Sequence, residues 1–192
     1  MNLHRIAALR RIAAVAGTAL ALLFVTGAPA HAASTGTLTD NFESTDAGFV
    51  WTDEGGIPLD GLVEYSSTAH SPTHQAFAPW APPGSWSSIG RRVYLPVGVL
   101  NSTSRCSASI WVRPIGITKF NIEVINPGDY TYISLRTVTI GTASGYFPFQ
   151  QLSVPTWTPR NRNILFRVSQ VDIGTDTIGA EVDDLRVACS WS

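Results

Sequence analysis

Two short acidic segments carry the residues best suited to chemistry. Asp40-Asn41-Phe42-Glu43 lies near the start of the folded region, and Ala180-Glu181-Val182-Asp183-Asp184-Leu185-Arg186-Val187 lies near its end. Both read as strands with carboxylates where a half-buried strand carries apolar or neutral side chains. A carboxylate turned into a sandwich is costly unless it is paired or bound to a cation. Calcium takes six to eight oxygen ligands, usually a few carboxylates with carbonyls and water, and Glu43 and Asp183 could supply the carboxylates. The alternative is plain salt bridging or turn capping, with Arg91, Arg92 or Arg186 as partners. By period two, Asp183 shares a face with Leu185, Val187 and Cys189, although a bulge would swap the faces of Asp183 and Asp184.

A second set of residues suits recognition of hydroxyl-rich ligands. Sugar rings present C–H faces to aromatic side chains and hydroxyls to Asn, Gln, Asp, Glu and Arg, so a sugar site is a stacking platform with polar neighbours. Trp80 and Trp86 lie in the Pro/Gly-rich stretch Ala78–Trp86, read as a surface loop. Trp111 and Arg113 alternate with Ile110 and Val112 on one strand, and Asn121, Glu123 and Tyr132 come from the strands that follow. These residues form the candidate contact surface; the competing reading buries Trp111 under a loop as part of a small second core. Trp51 and Trp157 are expected in or near the main core. Six tryptophans exceed what a core of this size needs.

Catalytic patterns are missing. There is no Gly-x-Ser-x-Gly elbow, no His-Glu-x-x-His and no paired cysteine motif. His70 and His74 are four apart, which would suit a metal on a helix, but they flank Ser71-Pro72, where Pro disfavours a helix, and they read as a turn with a surface histidine. Asp53 and Glu54 adjoin in a Gly-rich turn and are not a spaced acid/base pair.

The elements that hold these residues are strands. Val, Ile, Thr, Tyr, Phe and Trp recur in short runs between Gly, Pro, Asn, Asp and Ser. Strands are predicted at 37–43, 49–52, 62–66, 75–78, 88–95, 105–113, 119–125, 130–139, 149–154, 163–171 and 180–189. That number suits an all-β, two-sheet antiparallel sandwich or jelly roll. Residues 1–32 read as a signal peptide: Arg5, Arg10 and Arg11 precede an apolar run from Ile12 to Val25, and Ala30-His31-Ala32 supplies a cleavage pattern. Residues 33–36 read as a polar leader and 37–192 as one domain. All 14 acidic residues fall after the leader against ten of the 13 basic ones, and Lys119 is the sole lysine. No basic stripe or amphipathic basic helix suggests nucleic acid or a membrane surface; a monomer is expected. Cys106 and Cys189, the two cysteines of an exported chain, are expected to form a disulfide.

The order of several short motifs resembles the calcium-containing jelly-roll carbohydrate-binding modules of secreted bacterial proteins, within the galactose-binding-domain-like superfamily. The matching pieces are Asn41-Phe42-Glu43, Gly48-Phe49-Val50-Trp51, Thr68-Ala69-His70-Ser71, Ser109-Ile110-Trp111-Val112-Arg113, Phe149-Gln150-Gln151-Leu152 and the closing Val182-Asp183-Asp184-Leu185. The chain departs from the pattern at Pro72, where Gly is usual, and at Phe149, where Trp is usual. The resemblance implies a structural calcium ion at Glu43 and Asp183, with Asp184 in reserve. It also implies non-catalytic binding of a polysaccharide or other glycan on an outward sheet face. A secreted adhesive protein with the same sandwich is the alternative, followed by a jelly-roll glycan hydrolase or lyase.

Overall fold

Alternating segments rich in β-branched and aromatic residues fold into eleven strands. The computed structural model describes residues 33–43, 51–53, 63–141, 145–173 and 178–192. The signal-peptide reading of residues 1–32, the Gly48-Phe49-Val50 step, Glu54 and the predicted strand start at Leu62 lie outside the described residues. The strands are β1 (Ser34–Asp40), β2 (Trp51–Asp53), β3 (Val63–Tyr65), β4 (His74–Ala81), β5 (Trp86–Tyr94), β6 (Arg105–Ile115), β7 (Thr118–Ile125), β8 (Tyr132–Ile140), β9 (Gln150–Ser153), β10 (Asn163–Asp172) and β11 (Ile178–Trp191). No helix occurs among the described residues.

The strands form two antiparallel sheets that pack as a sandwich. One has the order β3-β4-β11-β6-β9, with β1 also on β11; the other has the order β2-β5-β10-β7-β8. They are called here the β11 sheet and the β10 sheet. β11 is long enough that β4 pairs with Ile178–Val182 and β1 with Leu185–Trp191. β1 begins at Ser34, opposite Trp191, so Ser34–Gly36 belong to the sheet and are not a free leader. It ends at Asp40, short of the predicted Glu43, because Phe42 turns into the left-handed region at φ 61°. The Asp40 carboxylate caps that turn by accepting the Phe42 N–H at 3.0 Å.

Period two decides what lies between the sheets. From the β11 sheet come mostly small or branched residues, such as Ala78, Ala180, Val182, Ile110 and Val112. From the β10 sheet come Phe120, Ile122, Phe166 and Val168. Asp40 crosses from one sheet to the other: it pairs with Arg91 and accepts the Trp51 indole N–H at 2.7 Å. Arg91 is therefore the partner of Asp40 and not of Glu43 or Asp183. Cys106 and Cys189 oppose each other on β6 and β11 and form the disulfide. They sit on the core side of both strands, as their alternation requires.

Candidate functional site

The outer face of the β10 sheet is built by the residues that alternate with the core. On β7 these are Lys119, Asn121 and Glu123, between Phe120, Ile122 and Val124. On β10 they are Arg167 and Ser169, between Phe166 and Val168. Register then places polar side chains side by side. One cross-strand row runs Ser88, Ser169, Asn121, Thr137 over four adjacent strands. At about 4.8 Å between strands the row spans roughly 14 Å. Thr137 donates to Asn121 Oδ1 at 2.8 Å. In the next row Glu123 is 2% exposed, pairs with Arg167 and accepts a hydrogen bond from Ser169 Oγ at 3.2 Å. On the other side Trp86, 43% exposed, opens β5 opposite Val171, with Lys119 one strand further. Ser88 and Ser169 are buried like Glu123, so what this face presents is the open indole with Lys119, Asn121 and Thr137.

Trp111 and Arg113 do not belong to it. β6 lies in the β11 sheet and β7 in the β10 sheet, so the surface that grouped Trp111 and Arg113 with Asn121, Glu123 and Tyr132 divides between two sheets. Period two assigns a side chain to a face of its own sheet but does not say which sheet the strand joins. Trp111 is half-buried, with its ring stacked on His70 at 3.9 Å between centroids, and Phe149 meets His70 edge-on. This is the covered, small-core arrangement. Arg113 pairs with Glu181, donates to Thr68 at 2.6 Å and lies over the rings of Tyr146 and Phe149. Trp80 lies within β4, not in a loop, and is 47% exposed. Gly179 makes room for it: a Cβ there would meet Phe77 and Trp80 at 3.1 Å. The turn between the two tryptophans is confined to Pro82–Ser85, with Gly84 at φ 77°. Tyr132 is 57% exposed at the start of β8, beyond Asn121 and Glu123.

The acidic residues gather at the turn Ser71–His74. A bulge between Asp183 and Arg186, with Asp184 at φ 48°, breaks the alternation of β11. Asp183 thereby faces outward with Glu181, and not inward with Leu185, Val187 and Cys189 as strict alternation required. It is fully buried all the same and accepts from Ser71 N at 2.7 Å, Ser71 Oγ at 2.8 Å and Asp184 N at 2.7 Å. Among the described residues it has no ion pair, and burial holds its carboxyl above the usual range. Asp184 turns away to His70 Nδ1 at 2.6 Å. Glu43 accepts from Thr73 Oγ1 at 2.6 Å, His74 N at 2.7 Å and Thr73 N at 2.8 Å, with His74 Nδ1 at 3.0 Å. Bonds from the Thr73 and His74 side chains, helped by both backbone N–H groups, push its pKa down from 4.5 to about 2.

The fit of a cation can be read from the oxygens at this turn. Ser71 Oγ lies 2.8 Å from Asn41 O, 2.8 Å from Asp183 Oδ1 and 3.4 Å from His74 O. One hydroxyl proton serves one of these three acceptors. The Gln75 amide, on the neighbouring strand, is fully buried with neither its oxygen nor its nitrogen partnered. Carboxylate, carbonyl and hydroxyl oxygens are the donor type calcium takes, although in this arrangement Asp183 and Glu43 already accept from N–H and O–H groups. Among the described residues there is no cluster of three or more His, Cys, Asp or Glu side chains able to hold a metal.

Arg167, Ser169 and Ser88 were not singled out in the sequence. For Arg167 and Ser169 the signal was the alternation of Asn163–Val171, which sets them opposite Phe166 and Val168; for Ser88 it was the alternation with Ile89 at the start of β5.

No family model and no curated protein matches the chain. Among solved structures, a family 61 carbohydrate-binding module in complex with β-1,4-galactotriose superposes with a TM-score of 0.51 at 18% identity, over 77% of this chain and 97% of its own. A family 4 carbohydrate-binding module gives a TM-score of 0.50 at 11% identity, over 74% and 96%. The fold is the jelly roll of such modules. A Stig cyclase from Fischerella sp. TAU, in complex with a pyrrolidinylidene indole, also shares it, with a TM-score of 0.53 at 12% identity over 79% and 98%. One scaffold thus carries binding proteins and an enzyme, and the side chains decide between them.

Proposed function

We propose that this protein is a non-catalytic carbohydrate-binding module that holds a polysaccharide or oligosaccharide on the outer face of the β10 sheet. The observation that carries the reading is the open indole of Trp86 on the same face as Asn121 and Thr137, the accessible end of a polar row whose other members, Ser88 and Ser169, are buried beneath the face. Trp86 offers a stacking platform, Asn121 and Thr137 take hydroxyls, and the Glu123–Arg167 pair gives the floor of the face a fixed polarity. A non-catalytic role is favoured because glycoside hydrolysis uses two carboxyl groups. Among the described residues the outward positions of β5, β7, β8 and β10 hold one, Glu123, and Arg167 neutralises it. One aromatic contributes about 1 kcal/mol, so short oligosaccharides bind in the micromolar to millimolar range.

The reading includes export of a monomer, on the strength of the Arg-rich and apolar start, and a structural calcium ion. Asp183, the Asn41 carbonyl, Ser71 and Glu43 would hold the ion. It would supply the positive charge that the buried Asp183 lacks and fasten β1 to β11 at the 71–74 turn. Neither nucleic acid nor a membrane surface fits the charge distribution.

The test is retention on a panel of insoluble polysaccharides. Wild type is retained by at least one of them, Trp86→Ala loses retention, and Trp111→Ala keeps it because His70 already covers that ring. If no polysaccharide retains the wild type, the carbohydrate reading fails. If Trp86→Ala binds like wild type, the assignment to this face fails.

A further inference from the structure

A cavity of about 680 Å³ opens between the β7–β8 turn and the loop that leads into β10. It lies away from Trp86. Lys119, in the Trp86 row, and Asn126, at the cavity, are seven residues apart along one hairpin, roughly 23 Å of extended chain.

Both walls are anchored. Asn126 N donates to Thr131 O at 2.9 Å, and Tyr130 N to Asn126 O at 2.8 Å, closing the turn. Opposite, Trp157 exchanges backbone hydrogen bonds with Cys106 at 2.8 and 3.0 Å, next to the disulfide, and Ser134 Oγ holds Pro155 O at 2.8 Å. The cavity therefore has a built shape and is not a gap between loose loops.

Its lining combines four kinds of group. Tyr132 offers an open ring, 57% exposed. Asp129 is a carboxylate held below its ordinary range by the Thr131 backbone N–H at 3.0 Å and hydroxyl at 2.7 Å. Arg160 is exposed and has no hydrogen-bond or ion-pair partner among the described residues. Trp157 is 5% exposed, and its indole Nε1–H is buried without an acceptor. Trp157 therefore lines the cavity without presenting its N–H to it, and its indole is a reporter placed beside the cavity.

We propose that this cavity is a second saccharide site that takes a single sugar unit or the end of a glycan chain. The volume lies within the range of small-molecule sites. Tyr132 would stack on the C–H face of the ring, with Asp129 accepting from and Arg160 donating to its hydroxyls, and the Trp157 indole close enough to sense the occupant. Walls on two sides favour a terminal unit, whereas the sheet face suits a chain running across it. The proposal rests on the carbohydrate reading for its ligand class, but not for its position.

The experiment is a titration of the purified, ¹⁵N-labelled protein followed at its indole N–H resonances, with Trp157 assigned from the peak missing in Trp157→Phe. The probes are glucose, galactose, mannose, xylose, arabinose, N-acetylglucosamine and galacturonic acid. At least one probe should shift the Trp157 resonance saturably at millimolar concentration. Tyr132→Ala, an exposed position that does not endanger folding, should weaken that response at least fivefold, and Trp86→Ala should preserve it. No saturable shift with any probe overturns the proposal. So does a Tyr132→Ala response equal to wild type, or loss of the response in Trp86→Ala. Polysaccharide retention with a silent Trp157 resonance refutes this site alone. A responsive Trp157 without any polysaccharide retention refutes the sheet face alone.

Discussion

Replacing Glu123 by Leu leaves the Arg167 guanidinium, whose side chain is 14% exposed, without its carboxylate on the outer face of the β10 sheet. Removing one member of a buried pair costs about 3–5 kcal/mol, because the remaining charge is poorly solvated. In a domain of this size that lowers Tm by roughly 6–20 °C. Arg167→Met should cost at least as much, since Glu123 is only 2% exposed and keeps the Ser169 hydroxyl as its donor. The double variant should be more stable than either single one, because two apolar side chains of similar length need no solvation; replacing a whole buried pair is often neutral. Urea unfolding followed by tryptophan fluorescence gives the three differences and their coupling. If Glu123→Leu melts within two degrees of wild type, or if the double variant loses the sum of the single losses, the pair is not the coupled buried unit described here. The double variant also separates stability from function. Folded and unable to hold polysaccharide, it would confirm that the pair shapes the binding face; folded and fully retained, it would remove the pair from that face.

Three further outcomes follow from the geometry. The disulfide closes a separation of 83 residues, worth about 4–5 kcal/mol by chain entropy, so Cys106→Ala/Cys189→Ala should melt roughly 10–20 °C lower; a change under 3 °C would show that the β6–β11 pairing holds the ends together alone. With chelator present, Glu43 contributes stability fully above pH 4.5 and loses it as pH falls toward about 2, because its folded pKa is depressed; acid titrations of Glu43→Gln should lack that loss, and identical curves would refute the role given to Thr73 and His74. Calcium should raise Tm in step with its free concentration and chelator should lower it, with Asp183→Ala insensitive to both; a wild-type melting curve that ignores calcium and chelator would refute the site.

The strands were legible because alternation is a local property. The reading from Arg105 to Arg113 puts Cys106, Ala108, Ile110 and Val112 on one face, and all four are buried in the core. The same local signal placed both cysteines inward, where they bond. Two things could not be read this way. One is the bulge at Asp183–Asp184. It falls where β4 hands over to β1 as the neighbour of β11, and nothing in the order of residues 180–189 records that neighbours change there. The other is the assignment of strands to sheets, which depends on contacts between distant segments: β6 and β7 are consecutive and joined by a short turn, yet they belong to different sheets.

That second point explains why a site assembled from consecutive strands fails while its members survive separately. Among the described residues each sheet carries one outward Arg–Glu pair, Arg113–Glu181 on the β11 sheet and Arg167–Glu123 on the β10 sheet. Both pairs join residues far apart in the chain, so residue type alone does not distinguish them. Their surroundings do. Arg113 is roofed by Tyr146 and Phe149, next to a tryptophan already stacked on His70, so the aromatic groups there satisfy one another. Arg167 and Glu123 lie next to Ser169, Asn121 and Thr137, short polar groups that leave the indole of Trp86 open. Aromatic density therefore points to the packed face, whereas an unpaired aromatic beside a polar row marks the face fitted to bind. A tryptophan contributes to recognition through the ring surface that its own protein leaves uncovered, and of the two tryptophans Trp86 and Trp111, only Trp86 has that surface on a polar sheet.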